Sequence, residues 1–154
     1  MATFELTAGT FREGAFIPKQ HTCEGEDRSP PLRWDHPPAG TRCFALIADD
    51  PDAPGGTWVH WVLFNIPIDV RGLAEGLPLQ DVLPNDARQG MNDFHRLGYG
   101  GPCPPPGKPH RYYFTLYALD RELPLKSNAT KAQVVEAMKG HILAEAQLMG
   151  RFGR

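Results

Sequence analysis

The chain has 154 residues, of which 41% are hydrophobic, and it carries a formal net charge of −2. A chain of this length is typical of one domain with its own core, so we predict a single domain over residues 1–154. The small charge excludes a general attraction to nucleic acid or anionic membranes. The sequence contains no apolar run of the ~18 residues needed to cross a bilayer, and its first residues lack the pattern of a signal peptide. We therefore expect a cytoplasmic protein without stable membrane insertion.

Glycine and proline divide the chain into short pieces. Each contributes 16 residues, and they lie between apolar runs rather than in one tail, which predicts many short elements joined by shaped loops. The weak alternation over Phe4–Thr7 predicts a short edge strand. The segment Ser29–Trp34 is predicted to be extended, because a residue that precedes proline is pushed out of the helical region.

Two apolar runs near the middle of the chain predict two strands. Cys43–Ala48 is apolar at every position, which is typical of a central strand that is covered on both faces. Thr57–Ile66 is rich in Trp, Val, Phe and Ile, the residue types that suit a pleated surface. Asp50 and Asp52 lie where the first strand ends, and His60 lies early in the second. Acidic residues at a strand end beside a histidine suggest a site.

The second half of the chain predicts a long loop, another strand and a helix. Asp69–Leu97 has no sustained period, and long irregular connections tend to be functional. Gly98–Asp120 begins with glycine and proline and continues as a strand. On that strand His110 and Tyr112 share the core-facing side with Phe114, Leu116 and Ala118, whereas Arg111 points the other way.

The C-terminal part is predicted to be helical. Thr130 and Gln133 fit a capping box at its start, and Gly140 is a point at which the helix would split or bend. The apolar residues that follow recur at helical spacing, as expected for a core-facing stripe. They are Val135, Met138, Ile142, Ala146 and Met149.

Three cysteines, Cys23, Cys43 and Cys103, occur without C-x-x-C spacing. A structural zinc site is therefore not expected. In a reducing compartment the thiols are expected to be free. A bridge between Cys23 and Cys103 stays open as the alternative, because both lie in predicted loops.

An ordered set of motifs resembles the phosphatidylethanolamine-binding protein family, and within it the short prokaryotic type called Raf-kinase-inhibitor-like. The main motifs are DPDAP at 50–54, HW at 60–61 and GPCPPPGKPHRYYF at 101–114. Further motifs are TCEGEDRSPPLRW at 22–34, NIP at 65–67, YGGP at 99–102 and YALD at 117–120. The resemblance spans nearly the whole chain.

The resemblance implies a mainly β fold, in which a large antiparallel sheet packs on a smaller sheet and helices are few. It also implies a small anion-binding pocket at one end of the sheets, with a homodimer as an option. The ligand-binding residues that follow from the motifs are Asp50, Asp52, His60, Gly100, Pro102, His110 and Tyr112.

These residue types suit a phosphate-like anion. Charged imidazole and phenol groups donate hydrogen bonds, and a glycine-rich turn lets backbone N–H groups come close to a ligand. Asp50 would repel an anion unless it holds a histidine ring in place and favours its charged form. We therefore expect Asp50 to orient a histidine, while His60, His110 and Tyr112 face the ligand. The alternative for His60 is a hydrogen-bonded histidine with only a structural role.

Two further features have two interpretations each. Asp52 could contact the ligand, or it could form a bidentate ion pair with Arg111 that fastens the loop to the strand. The proline run Pro104–Pro106 is expected to form a rigid pocket wall, and the alternative is a docking segment for a partner.

The functional hypothesis is a non-enzymatic binding module for a small anionic ligand, without a cofactor. An alternative is a regulator that binds an unknown protein partner through the pocket rim. An enzyme is less favoured, because the chain has only two serines, Ser29 and Ser127, and neither sits in a G-x-S-x-G elbow. A metal bound by Asp50, His60 and His110 is chemically conceivable, but the resemblance does not suggest it.

Overall fold

A computed structural model describes residues 3–154. A three-stranded antiparallel sheet packs on a five-stranded antiparallel sheet, with strand orders β1-β2-β5 and β6-β4-β3-β7-β8. The strands are β1 Glu5–Ala8, β2 Leu32–Asp35, β3 Cys43–Asp50, β4 Trp58–Pro67, β5 Gly72–Leu73, β6 Arg88–Gln89, β7 His110–Leu119 and β8 Ile142–Phe152. One helix, α1, spans Lys131–Met138, and a 3-10 turn spans Lys19–His21. The predicted mainly β fold with two sheets is confirmed.

Strand β3 lies at the centre of the larger sheet, between β4 and β7. Its residues Phe44 and Leu46 face the core between the two sheets, which also contains Trp34 of the smaller sheet. Its residues Ala45 and Ile47 face a second core, on the outer side of the larger sheet. Coverage of both faces explains why this strand reads as a continuous apolar run.

A β-bulge interrupts the pairing of β3 with β4 next to the strand ends. Ala48 pairs with Trp61, but the next residue of β3, Asp49, pairs with Val59. The intervening His60 is therefore an extra residue on β4, and a bulge of this kind re-aims a side chain. It allows His60 to contact Tyr112, while Trp61 packs in the core between the sheets.

The predicted C-terminal helix is correct only in its first part. Thr130 and Gln133 form the predicted capping box, and α1 ends at Met138. Gly140 follows with a φ of +80°, a left-handed conformation that suits glycine and ends the helix.

The residues after Gly140 form strand β8, so the prediction of helix over this segment is wrong. Strand β8 pairs with β7 along its whole length, from Leu119 with Ile142 to His110 with Phe152. Its buried residues alternate with a period of two, at Ala146, Leu148, Gly150 and Phe152. Ile142, counted in the predicted core stripe, is 40% exposed.

The expectation of free thiols is wrong for two of the three cysteines. Cys23 and Cys103 form a disulfide, with their Cα atoms 5.3 Å apart. The backbone N–H of Cys23 donates to the carbonyl of Pro102. This hydrogen bond joins the same two loops next to the disulfide. Cys43 is free and buried, and its thiol donates to the carbonyl of Arg121.

None of the helices in the part of the chain that the structure describes is long and apolar enough to span a membrane.

The disulfide is expected to stabilise the fold, because it closes a loop of 80 residues in the unfolded chain. Replacing both partners by Cys23→Ser and Cys103→Ser should lower the free energy of unfolding by roughly 2–5 kcal/mol. Urea unfolding with and without a dithiol reductant measures the effect. The reductant should destabilise the wild type and leave the double variant unaffected. Equal stability of oxidised and reduced wild type would contradict this role.

Candidate functional site

A cavity of about 290 Å³ lies where β3 ends and where β4 and β7 begin. Four of the seven residues predicted to bind a ligand line it, namely Asp50, His60, His110 and Tyr112. The lining residues are Asp50, Ala53, Pro54, Trp58, His60, Phe94, Cys103, Pro104, Pro105, His110 and Tyr112. We call this cavity the small pocket.

The side chain of Asp50 connects two parts of the small pocket. Asp50 is only 3% exposed. Its Oδ2 lies 2.7 Å from Nδ1 of His110, and its Oδ1 accepts from the backbone N–H of Asp52 at 2.8 Å. Because a carboxylate only accepts, the hydrogen of His110 lies on Nδ1, and Nε2 is the ring nitrogen left for a ligand. The predicted orientation of a histidine by Asp50 is present.

His60 has a different hydrogen-bond partner. Its Nδ1 lies 2.6 Å from the carbonyl oxygen of Gly100, which can only accept, so Nδ1 carries the hydrogen. Burial lowers the pKa of His60, and this effect outweighs the carbonyl of Gly100 and the negative charges of Asp50, Asp27 and Asp49, which raise it. The neutral ring dominates at neutral pH, and its Nε2 offers a lone pair. In this form His60 accepts at Nε2, whereas the sequence analysis grouped the histidines together as charged donors.

Aromatic side chains complete the small pocket. His60 meets Tyr112 and Phe94 edge to face, with ring centres 5.2 Å and 5.4 Å apart, and Phe94 meets Trp58 in the same way at 5.5 Å. Burial raises the pKa of Tyr112 above its usual range, and the negative charge of Asp50 adds to this effect. Tyr112 consequently keeps its phenolic hydrogen as a donor.

Phe94 is a pocket residue that the sequence analysis did not identify. It lies in the predicted irregular connection and is held there by Asn92, which is 3% exposed. Oδ1 of Asn92 accepts from the backbone N–H groups of Phe94 and Arg96, and its Nδ2 donates to the carbonyl of Gly98. The available signal was an aromatic residue two positions after an Asn, a residue that commonly bonds to the backbone that follows it.

The predicted glycine wall has a different role. The N–H of Gly100 donates to the carbonyl of His60, and the N–H of Gly101 donates to Asp27. Pro102 has no N–H, so the segment 100–102 offers no backbone donor to an anion. Gly100 and Pro102 do not line the small pocket, and Cys103–Pro105 lines it instead.

Glycine is needed in this segment for close approach. A Cβ atom at Gly101 would collide with the carbonyl of His21 and the carboxylate of Asp27. The loop that contains these two residues supports the wall from behind, because Tyr99 donates to the carbonyl of His21 at 2.7 Å. The disulfide joins the same loop to the wall at Cys103. This supporting loop was not identified from the sequence.

Asp52 and Arg111 form the predicted ion pair. Nε and Nη2 of Arg111 lie 2.9 Å and 2.8 Å from the two carboxylate oxygens. Hydrogen bonding to Arg111 lowers the pKa of Asp52 to about 2. Asp52 does not line the small pocket, so the geometry favours the structural role over ligand contact.

Asp52 lines a second cavity, of about 670 Å³, which adjoins the small pocket. The two cavities share Pro105 and His110. We call the second cavity the basic groove; it is lined by Asp52, Pro105, Pro106, Lys108, Pro109, His110, Arg111 and Arg151.

Among residues 3–154, no three His, Cys, Asp or Glu side chains are grouped so that they could hold a metal ion.

The chain resembles known proteins over nearly its full length. The family model described as "Phosphatidylethanolamine-binding protein" matches residues 7–153. The UPF0098 protein of Methanothermobacter thermautotrophicus is 52% identical over 149 residues, which cover 97% of this chain and 98% of that protein. Two crystal structures are similar: a phosphatidylethanolamine-binding protein homologue, CT736, from Chlamydia trachomatis and YbcL of E. coli, described as a member of the mammalian PEBP family. Their TM-scores are 0.89 and 0.92, their identities are 41% and 37%, and the matches cover at least 97% of every chain.

The lowered pKa of His60 predicts a pH dependence of stability. In the unfolded chain a histidine takes up a proton below about pH 6.5, whereas buried His60 does so only at a lower pH. The unfolded state thus binds more protons just below pH 6.5, and stability falls as the pH falls through this window. Between pH 7.5 and 5.5, the wild type should lose up to roughly 1 kcal/mol more free energy of unfolding than His60→Gln.

Urea unfolding at the two pH values measures this difference, with His36→Gln as the control at a histidine whose side chain is 54% exposed. An identical pH dependence in wild type and His60→Gln would show that His60 is not held neutral.

Proposed function

Because the chain belongs to the phosphatidylethanolamine-binding protein family, we propose that the small pocket binds a small anionic ligand, namely a phosphate or a phospho-headgroup. The observation that carries this proposal is the convergence of His60, His110 and Tyr112 on one cavity of about 290 Å³. A cavity of this size suits a small molecule or one end of a longer molecule.

Donors for an anion come from two side chains. Tyr112 supplies a phenolic O–H. Only a protonated His110 can donate Nδ1–H to Asp50 and Nε2–H to a ligand at the same time.

His60 adds an acceptor to the same cavity. A neutral ring whose Nδ1–H is bonded to Gly100 has only a lone pair at Nε2. This lone pair suits a ligand that carries its own hydrogen, such as a monoprotonated phosphate or the ammonium group of phosphoethanolamine. Sulfate has a similar shape but no hydrogen at neutral pH, so the pocket should prefer phosphate monoesters to sulfate.

Binding without turnover is supported by the residues around the cavity. Cys103 is bonded to Cys23 and has no free thiolate. Within residues 3–154, the side chains that line the small pocket include no serine, threonine or lysine. Ser29 is buried, and its hydroxyl accepts from the backbone N–H of Leu77. These features leave a hydrolase without an evident nucleophile.

A second candidate is protein recognition at the rim of the small pocket. Trp58 lines the cavity and is 38% exposed, a large aromatic surface beside the exposed Pro105. Exposed aromatic residues are common anchors in protein interfaces. Loss of a partner in Trp58→Ala, with unchanged phosphate binding, would favour this candidate.

The proposed function predicts saturable binding of phosphoethanolamine and inorganic phosphate. In calorimetric titrations at pH 6.5, His110→Gln should weaken binding about ten- to hundredfold, because a hydrogen bond to a charged group is lost. Tyr112→Phe should weaken it by about tenfold.

The matched control for His110 is His141→Gln. His141 makes the same type of contact, Nδ1 to Asp120 at 2.8 Å, at the opposite end of β7. Its replacement should leave the affinity as in the wild type. Absence of binding heat with either ligand, or an equal loss in both histidine variants, would refute the proposed function.

A further inference from the structure

We infer that the ligand carries two anionic groups, the first in the small pocket and the second in the basic groove. This inference rests on the proposed function of the small pocket. The two cavities share His110 and Pro105 as a common wall. A single small molecule that lies across His110 can therefore occupy both cavities at once.

The side chains that line the basic groove have a positive net charge, although the whole chain has a negative one. Lys108, Arg111 and Arg151 line it, whereas Asp52 is its only carboxylate among the described residues. Asp52 is occupied by Arg111 through both of its oxygens. Within residues 3–154, neither Lys108 nor Arg151 has a carboxylate within ion-pair distance. This local excess occurs in a chain whose overall charge is −2.

The arginines of the groove are held in fixed positions. Nε of Arg151 donates to the carbonyl of Gly14 at 2.8 Å, and its guanidinium lies 4.7 Å from the ring centre of Phe16. The guanidinium of Arg111 is fixed by Asp52 and lies over the ring of Tyr113. A guanidinium that is already oriented loses less conformational freedom when it binds an anion. Terminal N–H groups of Arg151 remain for a ligand.

The side chains of the basic groove determine which chemical class the second anionic group of the ligand belongs to. Guanidinium and ammonium groups bind phosphate and carboxylate, and the proline walls contribute no N–H donors. The ligand class that fits both cavities is a small bisphosphate, or a phosphate joined to a second anion by a short linker. The second contact forms within an already bound molecule, so it raises the affinity through a high effective concentration.

The test compares α,ω-alkanediol bisphosphates of increasing chain length with alkyl monophosphates of the same lengths. Calorimetry at low and moderate salt should show that a bisphosphate of suitable length binds at least about tenfold more tightly than its monophosphate. Because the groove is open to solvent, this gain should shrink as salt is added.

The variant that tests the groove is Lys108→Gln combined with Arg151→Gln. Both side chains are exposed, and Arg151→Lys serves as a second variant that keeps the charge. In the double variant the bisphosphate and the monophosphate should bind with equal affinity. Lys126→Gln removes an exposed lysine outside both cavities and should retain the full gain.

The outcomes separate this inference from the proposed function. If monophosphates bind and bisphosphates bind no better, the basic groove is not a ligand site, whereas the proposed function of the small pocket is retained. A gain that persists in the double variant also overturns the inference. If a bisphosphate binds and a monophosphate does not, and binding needs both His110 and the groove residues, the inference is supported. If neither class binds, both proposals fail.

Discussion

The buried carboxylate of Asp50 determines how the residues around the small pocket are arranged. Asp50 is 3% exposed, and a carboxylate withdrawn from water is costly unless it is hydrogen-bonded and paired. One oxygen binds His110 on β7, and the other binds the backbone of Asp52 in the turn towards β4. The same charge favours the protonated form of Tyr112. The turn and the strand end are thus positioned by one side chain.

The two histidines of the small pocket differ in chemistry because their partners differ. His110 donates to a carboxylate and His60 to a carbonyl. A carboxylate compensates a charged ring, whereas a carbonyl compensates it only weakly, so burial dominates at His60 and lowers its pKa. One cavity therefore combines a ring that is paired with a carboxylate and a ring that is neutral at neutral pH. The net charge of the cavity alone therefore does not describe its hydrogen-bonding chemistry.

Features that depend on short stretches of sequence could be predicted, and features that depend on distant partners could not. Strand β3 and the capping box of α1 follow from local pattern. Strand β8 has apolar residues at both helical and alternate spacing, and pairing with β7 decides between the two. The disulfide depends on loops 80 residues apart. The bulge at His60 adds one residue to β4, which no periodicity indicates, and the pKa of that histidine depends on the burial that the bulge creates.

The walls of the small pocket are held by contacts other than hydrogen bonds. The disulfide and the segment Cys103–Pro105 fix one wall, and edge-to-face contacts of Phe94 with His60 and Trp58 fix another. Side chains that are already held in place lose less conformational entropy when a ligand binds, which is consistent with the proposed function. Positive charge, by contrast, lies mainly in the basic groove, on guanidinium groups that their neighbours orient. Under the two proposals, different residues select the ligand by its hydrogen positions and attract it by charge, and His110 is the side chain that lines both cavities.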